Sequence, residues 1–114
     1  MNVYDAAHGL ADAIKASEEY KQFRAAKERV DQNPELSAML RDFENRQFQE
    51  QAKQMSGQDT DQAAMAKIQE LSQILMRDPE AALYLQAAMR FSLMISDVYK
   101  IVGEAVDVGN MPKV

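Results

Sequence analysis

Apolar residues recur along this chain at three- and four-residue steps, the spacing that lines one face of an α-helix. Val3, Ala7, Leu10 and Ile14, flanked by Ala6 and Ala13, predict an amphipathic helix over residues 3–16, which Gly9 weakens slightly. Ser17-Glu18-Glu19 then combines a capping side chain with acids suited to a first turn. Tyr20, Phe23, Ala26 or Lys27, and Val30 carry a stripe down a second helix. The pattern leaves open whether Ser17 breaks the helix or sits inside a continuous one. Asn33-Pro34-Glu35 is a sharper boundary, with a capping side chain, a proline fit for the first helical position and an acid behind it. Leu36, Met39, Leu40, Phe43, Gln47 and Phe48 supply the expected buried face of the helix that follows, and its polar end runs to about Met55. Ser56-Gly57 stops it, with glycine suited to a left-handed C-cap.

Beyond the turn, either Asp59 or Thr60 is expected to cap a helix whose apolar positions are Ala64 or Met65, Ile68, Leu71, Ile74 and Leu75. A short connection between two long helices makes an antiparallel hairpin over residues 34–76. Asp78-Pro79-Glu80 repeats the earlier punctuation and opens a last helix, 79–107, followed by a short tail, 108–114. The fold class is therefore all-α: an elongated antiparallel helical hairpin or bundle of four to five helices, one domain over residues 1–114, with N-terminal helices in 3–32.

The last helix differs from the others. Leu83, Tyr84, Leu85, Met89, Phe91, Met94, Ile95, Val98, Tyr99, Ile101 and Val102 fall on nearly every side of it. A helix apolar all round has to be covered on several sides, and a chain of 114 residues otherwise built from short or strongly charged helices has little to cover it with. The expectation is an interaction protein, a homodimer joined through Leu83, Met89, Phe91, Met94, Ile95, Val98, Tyr99 and Val102. The charged hairpin face, residues 41–70 with Arg41, Arg46, Glu50, Lys53 and Lys67, is the expected site for an unidentified protein partner.

Composition agrees with helices: 46% hydrophobic and 27% charged residues, with only four glycines and three prolines. At 12.9 kDa the chain buries roughly two thirds of its unfolded surface, enough for a core with little to spare. A net charge of −5 opposes nonspecific binding to nucleic acid and to anionic membranes. An RNA-binding accessory role is the alternative, carried by Lys21, Arg24, Lys27 and Arg29 but diluted by Glu18, Glu19 and Glu28. The absence of cysteine excludes disulfides and cysteine-ligated zinc or iron–sulfur sites within this chain. The N-terminus lacks signal-peptide features and no apolar run reaches 18 residues, so the expected setting is cytoplasmic, without membrane insertion.

Catalytic constellations are missing. His8 lies between Asp5 and Asp12 at helical spacing, but no serine sits in a nucleophile-elbow context, and the histidine reads as a surface residue with helical charge partners. Asp42, Glu44, Glu50 and Glu70 lack the Glu-x-x-His pairs of a di-metal bundle and read as solvated partners of the neighbouring Arg and Lys residues. Gly57, Asp59 and Asp61 have the wrong order for a calcium loop, and there is no glycine-rich phosphate loop. No cofactor and no metal are expected. Most of the eight methionines suit core packing, while Met89 and Met94 suit contact with another chain. Arg90, inside the apolar stretch, needs a polar partner or an exit to water.

Taken in order, Leu10-Ala11-Asp12-Ala13-Ile14-Lys15-Ala16-Ser17-Glu18-Glu19-Tyr20, Asn33-Pro34-Glu35, Asp42-Phe43, Gln54-Met55-Ser56-Gly57, Asp78-Pro79 and Tyr84-Leu85-Gln86-Ala87 resemble the YlbF/YmcA family of small bacterial helical proteins, and within it the YheA-like branch. The resemblance implies an all-helical, dimeric, cytoplasmic protein without enzymatic activity. It further implies an accessory role in bacterial developmental regulation and in RNA maturation, in a complex that acts with a membrane-attached ribonuclease. Some relatives hold iron–sulfur clusters through cysteines, a property that a cysteine-free chain does not inherit. The resemblance carries no catalytic residue over.

Overall fold

Each helix start is built from a capping side chain within four residues of the backbone group it serves. The computed structural model describes residues 2–106 and contains five helices over them: α1 (Val3–Ala16), α2 (Glu18–Asp31), α3 (Pro34–Met55), α4 (Gln62–Arg77) and α5 (Pro79–Val106). Asn2 opens α1 by accepting from the Asp5 N–H at 2.8 Å. Ser17 answers the question left open by the sequence, for its ψ of 150° is extended and ends α1. Its Oγ donates to the Ile14 carbonyl at 2.6 Å and accepts from the Tyr20 N–H at 3.1 Å, so one hydroxyl closes α1 and opens α2. Asn33 caps α3 through the Leu36 N–H, and Asp78 caps α5 through the Glu80 and Ala81 N–H groups at 3.0 and 3.1 Å.

The end of α3 is a Schellman motif. Gly57 takes a φ of +82°, its N–H donates to the Gln54 carbonyl, and the Gln58 N–H donates to that of Lys53. The cap of α4 is Asp61, which accepts from the Ala63 N–H at 2.9 Å, and not Asp59 or Thr60. The last helix is described to Val106; the end expected at residue 107 and the tail 108–114 lie outside the described residues.

The helices group into two compact units. In residues 25–85, α3 packs against α4 as a helical hairpin. Leu36, Leu40 and Phe43 are the buried apolar residues of α3, and Ile68, Leu71 and Leu75 those of α4. Val30, Ala81 and Tyr84 complete the buried hydrophobic set of this unit, and Leu75 and Ala81 are fully enclosed. Each large aliphatic buried this way contributes about 1.5–3 kcal/mol. Phe48, expected on the buried face, is instead 72% exposed. At ~100° per residue it lies about 140° round the helix from Phe43, off the stripe that Leu36, Leu40 and Phe43 define.

The other unit comprises residues 2–24 and 86–106. Phe91 of α5 stacks on Phe23 with ring centroids 5.4 Å apart and meets Tyr20 at the same distance in a tilted arrangement. Arg90 finds its polar partner here, donating from Nη1 to Gln22 Oε1 at 3.2 Å while staying exposed. Among the described residues of this unit Ala87 alone is buried, and α1 buries none.

Candidate interaction surfaces

The unit with almost no buried residue carries most of the open apolar surface. On α5, Met89, Leu93, Tyr99, Ile101, Val102 and Val106 are exposed, and on α1 Val3, Tyr4 and Leu10 are exposed as well. The residues expected to join two copies divide into two sets. Phe91, Met94, Ile95 and Val98 are half-buried, whereas Met89, Tyr99 and Val102 stand open; Leu83, which falls in the hairpin unit, is also open. Leu93 and Ile101 were not in the expected set, although both are as exposed as its open members. Their signal was present as apolar identity on a helix already rich in it.

On the hairpin, the charges expected to face a partner are largely engaged along their own helices. Arg46 Nε pairs with Asp42 at 3.0 Å, Lys67 with Glu70 at 3.8 Å, and Lys53 Nζ with Glu50 at 3.3 Å. The two exposed pairs, Arg46–Asp42 and Lys67–Glu70, hold weakly and exchange readily. Arg41 is exposed. Glu50 is the correction: expected on the charged outer face, it is buried. Glu50 lies on the helical stripe of Leu36, Leu40 and Phe43 and is buried with them, whereas Gln47, expected on the buried face, is exposed.

A second polar cluster sits where α2 ends and α3 begins. A cavity of about 70 Å³ is lined by Lys27, Asp31, Ser37, Arg41, Glu44 and Tyr84, among others. Asp31 accepts from Lys27 Nζ at 3.3 Å and from Ser37 Oγ at 3.4 Å, and the Tyr84 hydroxyl donates to Glu44 Oε1 at 3.4 Å. Burial pushes the Tyr84 phenol up to about 12, and the negative charge and hydrogen bond of Glu44, with the charge of Asp31, add to the rise. The phenol is thus a fixed neutral donor at the foot of α5. Of the basic residues on α2, Lys27 is held by Asp31, while Lys21, Arg24 and Arg29 are exposed.

His8 is exposed on α1, and among the described residues no three His, Cys, Asp or Glu side chains gather as metal ligands. No helix of the described residues is long and apolar enough to cross a membrane.

The sequence matches one known family over nearly its whole described length. Residues 3–107 match the family model described as control of competence regulator ComK, YlbF/YmcA. The chain belongs to the YlbF/YmcA family. Among its relatives, a UPF0342 protein of Symbiobacterium thermophilum is 42% identical over 106 residues, spanning 93% of this chain and 95% of the relative. A UPF0342 protein of Caldicellulosiruptor saccharolyticus is 38% identical over 93% of this chain and 88% of its own length. Solved structures of similar fold include the DUF964 protein of Bacillus stearothermophilus, with a TM-score of 0.76, 22% identity and 92% of both chains covered. YheA of Bacillus subtilis matches at a TM-score of 0.66 with 18% identity, covering 94% of this chain and 97% of that one. Bacillus subtilis RicA, solved in complex with RicF, matches at 0.59 with 21% identity and 96% of both chains covered. At these identities the solved structures establish the helical fold alone. None of the family and relative descriptions names an enzymatic activity.

Proposed function

We propose that this chain is a non-enzymatic helical interaction module that self-associates through α5 and offers its hairpin to a protein partner. On this reading it is an accessory subunit of a bacterial developmental or RNA-maturation pathway. The observation that carries the reading is the unit of residues 2–24 and 86–106, where only Ala87 is buried while Val3, Tyr4, Met89, Leu93, Tyr99, Ile101, Val102 and Val106 stand open. Those side chains together expose on the order of 1000 Å², comparable with the ~800 Å² that each partner contributes to a standard protein interface. Helices with apolar faces and no core of their own are stabilised by surface from elsewhere. A second copy supplies it with the same chemistry, through a two-fold contact of α5 with its symmetry mate.

The family description supports the regulatory half of the proposal, since it names control of a competence regulator. A relative solved in complex with another protein supports the binding half. Sedimentation velocity at micromolar concentration tests self-association. The expected result is a mass near twice 12.9 kDa, and a stable monomer across that range refutes it. For the partner, affinity capture from the source cells should differ between wild type and a chain altered at Arg41 and Arg46; identical captures refute a role for the hairpin face.

A further inference from the structure

The hairpin contains a buried carboxylate that the described residues pair only by half. Glu50 is 5% exposed; Oε1 accepts from Lys53 Nζ at 3.3 Å, and Oε2 is enclosed with no hydrogen-bond partner among the described residues. A carboxylate offers two oxygens with about four acceptor sites, and an unsatisfied oxygen held away from water is a standing penalty that a suitable donor relieves. Lys53 is itself partly in solvent and does not reach the second oxygen.

Beside this group α3 and α4 leave a groove of about 340 Å³, lined by Gln47, Glu50, Gln51, Gln54, Met65 and Ile68. Its chemistry selects an occupant. An anion would meet the Glu50 carboxylate, and an aliphatic side chain would leave Oε2 as it is. An ammonium is a compact, strongly hydrated point charge that gives up water reluctantly. A guanidinium presents five donors in a planar fork, suited to a carboxylate and neighbouring carboxamide oxygens together. Its aliphatic stem matches the apolar wall of Met65 and Ile68. On the flank of α3 next to Gln51, Phe48 and Met55 are largely exposed, apolar area that a polypeptide covers and a free small cation does not. The net charge of −5 favours approach of a basic partner.

We propose that the α3–α4 groove is a docking site for an arginine side chain of a protein partner, with Glu50 as the buried counter-ion. This deepens the hairpin half of the proposed function and rests on it, but does not depend on self-association.

The test is an NMR titration of the full chain, ¹⁵N-labelled and ¹³C-labelled at methionine methyls. The probes are N-acetyl-arginine-methylamide, its uncharged isostere N-acetyl-citrulline-methylamide, and a helical alanine–glutamine peptide with one central arginine. The side-chain amide signals of Gln51 and Gln54 and the Met65 methyl are expected to move saturably with the arginine probes and not with citrulline. The peptide should bind at least tenfold more tightly than the capped residue, and Glu50→Gln should weaken both at least tenfold. An equal response to citrulline, no saturable response to the peptide, or undiminished binding by Glu50→Gln overturns the proposal. A peptide that binds no better than the capped residue overturns the assignment to a protein partner. Should Glu50→Gln not fold, the arginine–citrulline comparison on the wild type decides alone. Sedimentation mass is read separately, so failure of arginine recognition and failure of self-association are distinct results.

Discussion

Tyr99→Asp separates association from folding, because Tyr99 is 74% exposed in the single chain. A substitution at so open a position changes the stability of the isolated chain by about 0.5 kcal/mol or less, apart from the modest helix-propensity cost of aspartate. In the proposed dimer the same position is covered. Losing the burial of the exposed part of the ring removes roughly 2 kcal/mol per chain, and a two-fold interface counts it twice. The total is about 4 kcal/mol before any penalty for enclosing an unpaired carboxylate. At about 1.4 kcal/mol per decade, that weakens dimerisation by roughly a thousandfold. Sedimentation velocity over a concentration series should therefore shift the variant from twice 12.9 kDa to the single-chain mass, with the helical circular-dichroism signal retained. A variant that stays dimeric with unchanged affinity removes Tyr99 from the interface. Ile95→Asp and Val98→Asp are harsher and less selective, since both side chains are half-buried within the chain itself.

Three further outcomes test the fold. Tyr84 is raised to about 12 in the folded chain, above the ~10 of an unfolded tyrosine, so its contribution is fully present below pH 10 and is lost as pH rises towards 12. The two-unit difference corresponds to at most about 3 kcal/mol. The urea midpoint of wild type should fall relative to that of Tyr84→Phe over that alkaline window, and parallel profiles would refute the linkage. Leu75→Ala, at a fully enclosed position, should cost about 2–5 kcal/mol in chemical denaturation; a loss under 1 kcal/mol would contradict its place in the core. Gly57→Ala should cost about 1–2 kcal/mol, because φ is +82° while an added Cβ meets nothing within 4 Å, making the penalty one of backbone conformation.

The punctuation of this fold was legible because capping is local. Asn33-Pro34, Ser56-Gly57 and Asp78-Pro79 each place a donor or acceptor within a few residues of the group it satisfies, and all three boundaries fall where the residues put them. Ser17 was ambiguous for a physical reason: a serine hydroxyl bonds a preceding carbonyl inside a continuous helix as well as at a break. Its extended backbone decides the matter, in the direction that the acids Glu18 and Glu19 behind it suggest. Asp59, Thr60 and Asp61 are all competent caps in succession, so the choice of Asp61 is not encoded by residue type.

The candidate surfaces were legible only in part, because residue type and helical position disagree on them. Reading by type put Phe48 inside and Glu50 outside; the stripe through Leu36, Leu40 and Phe43 does the opposite, and the geometry of the helix prevails. On α5 the same conflict recurs. The positions it buries belong to Ala81, Tyr84 and Ala87, whereas Leu83, Met89, Leu93 and Ile101 lie outside. A lone chain stabilises itself most by enclosing its largest apolar side chains. A helix that encloses Ala81, Tyr84 and Ala87 and leaves leucine, methionine and isoleucine open is the observation on which the proposed contact with a second copy rests.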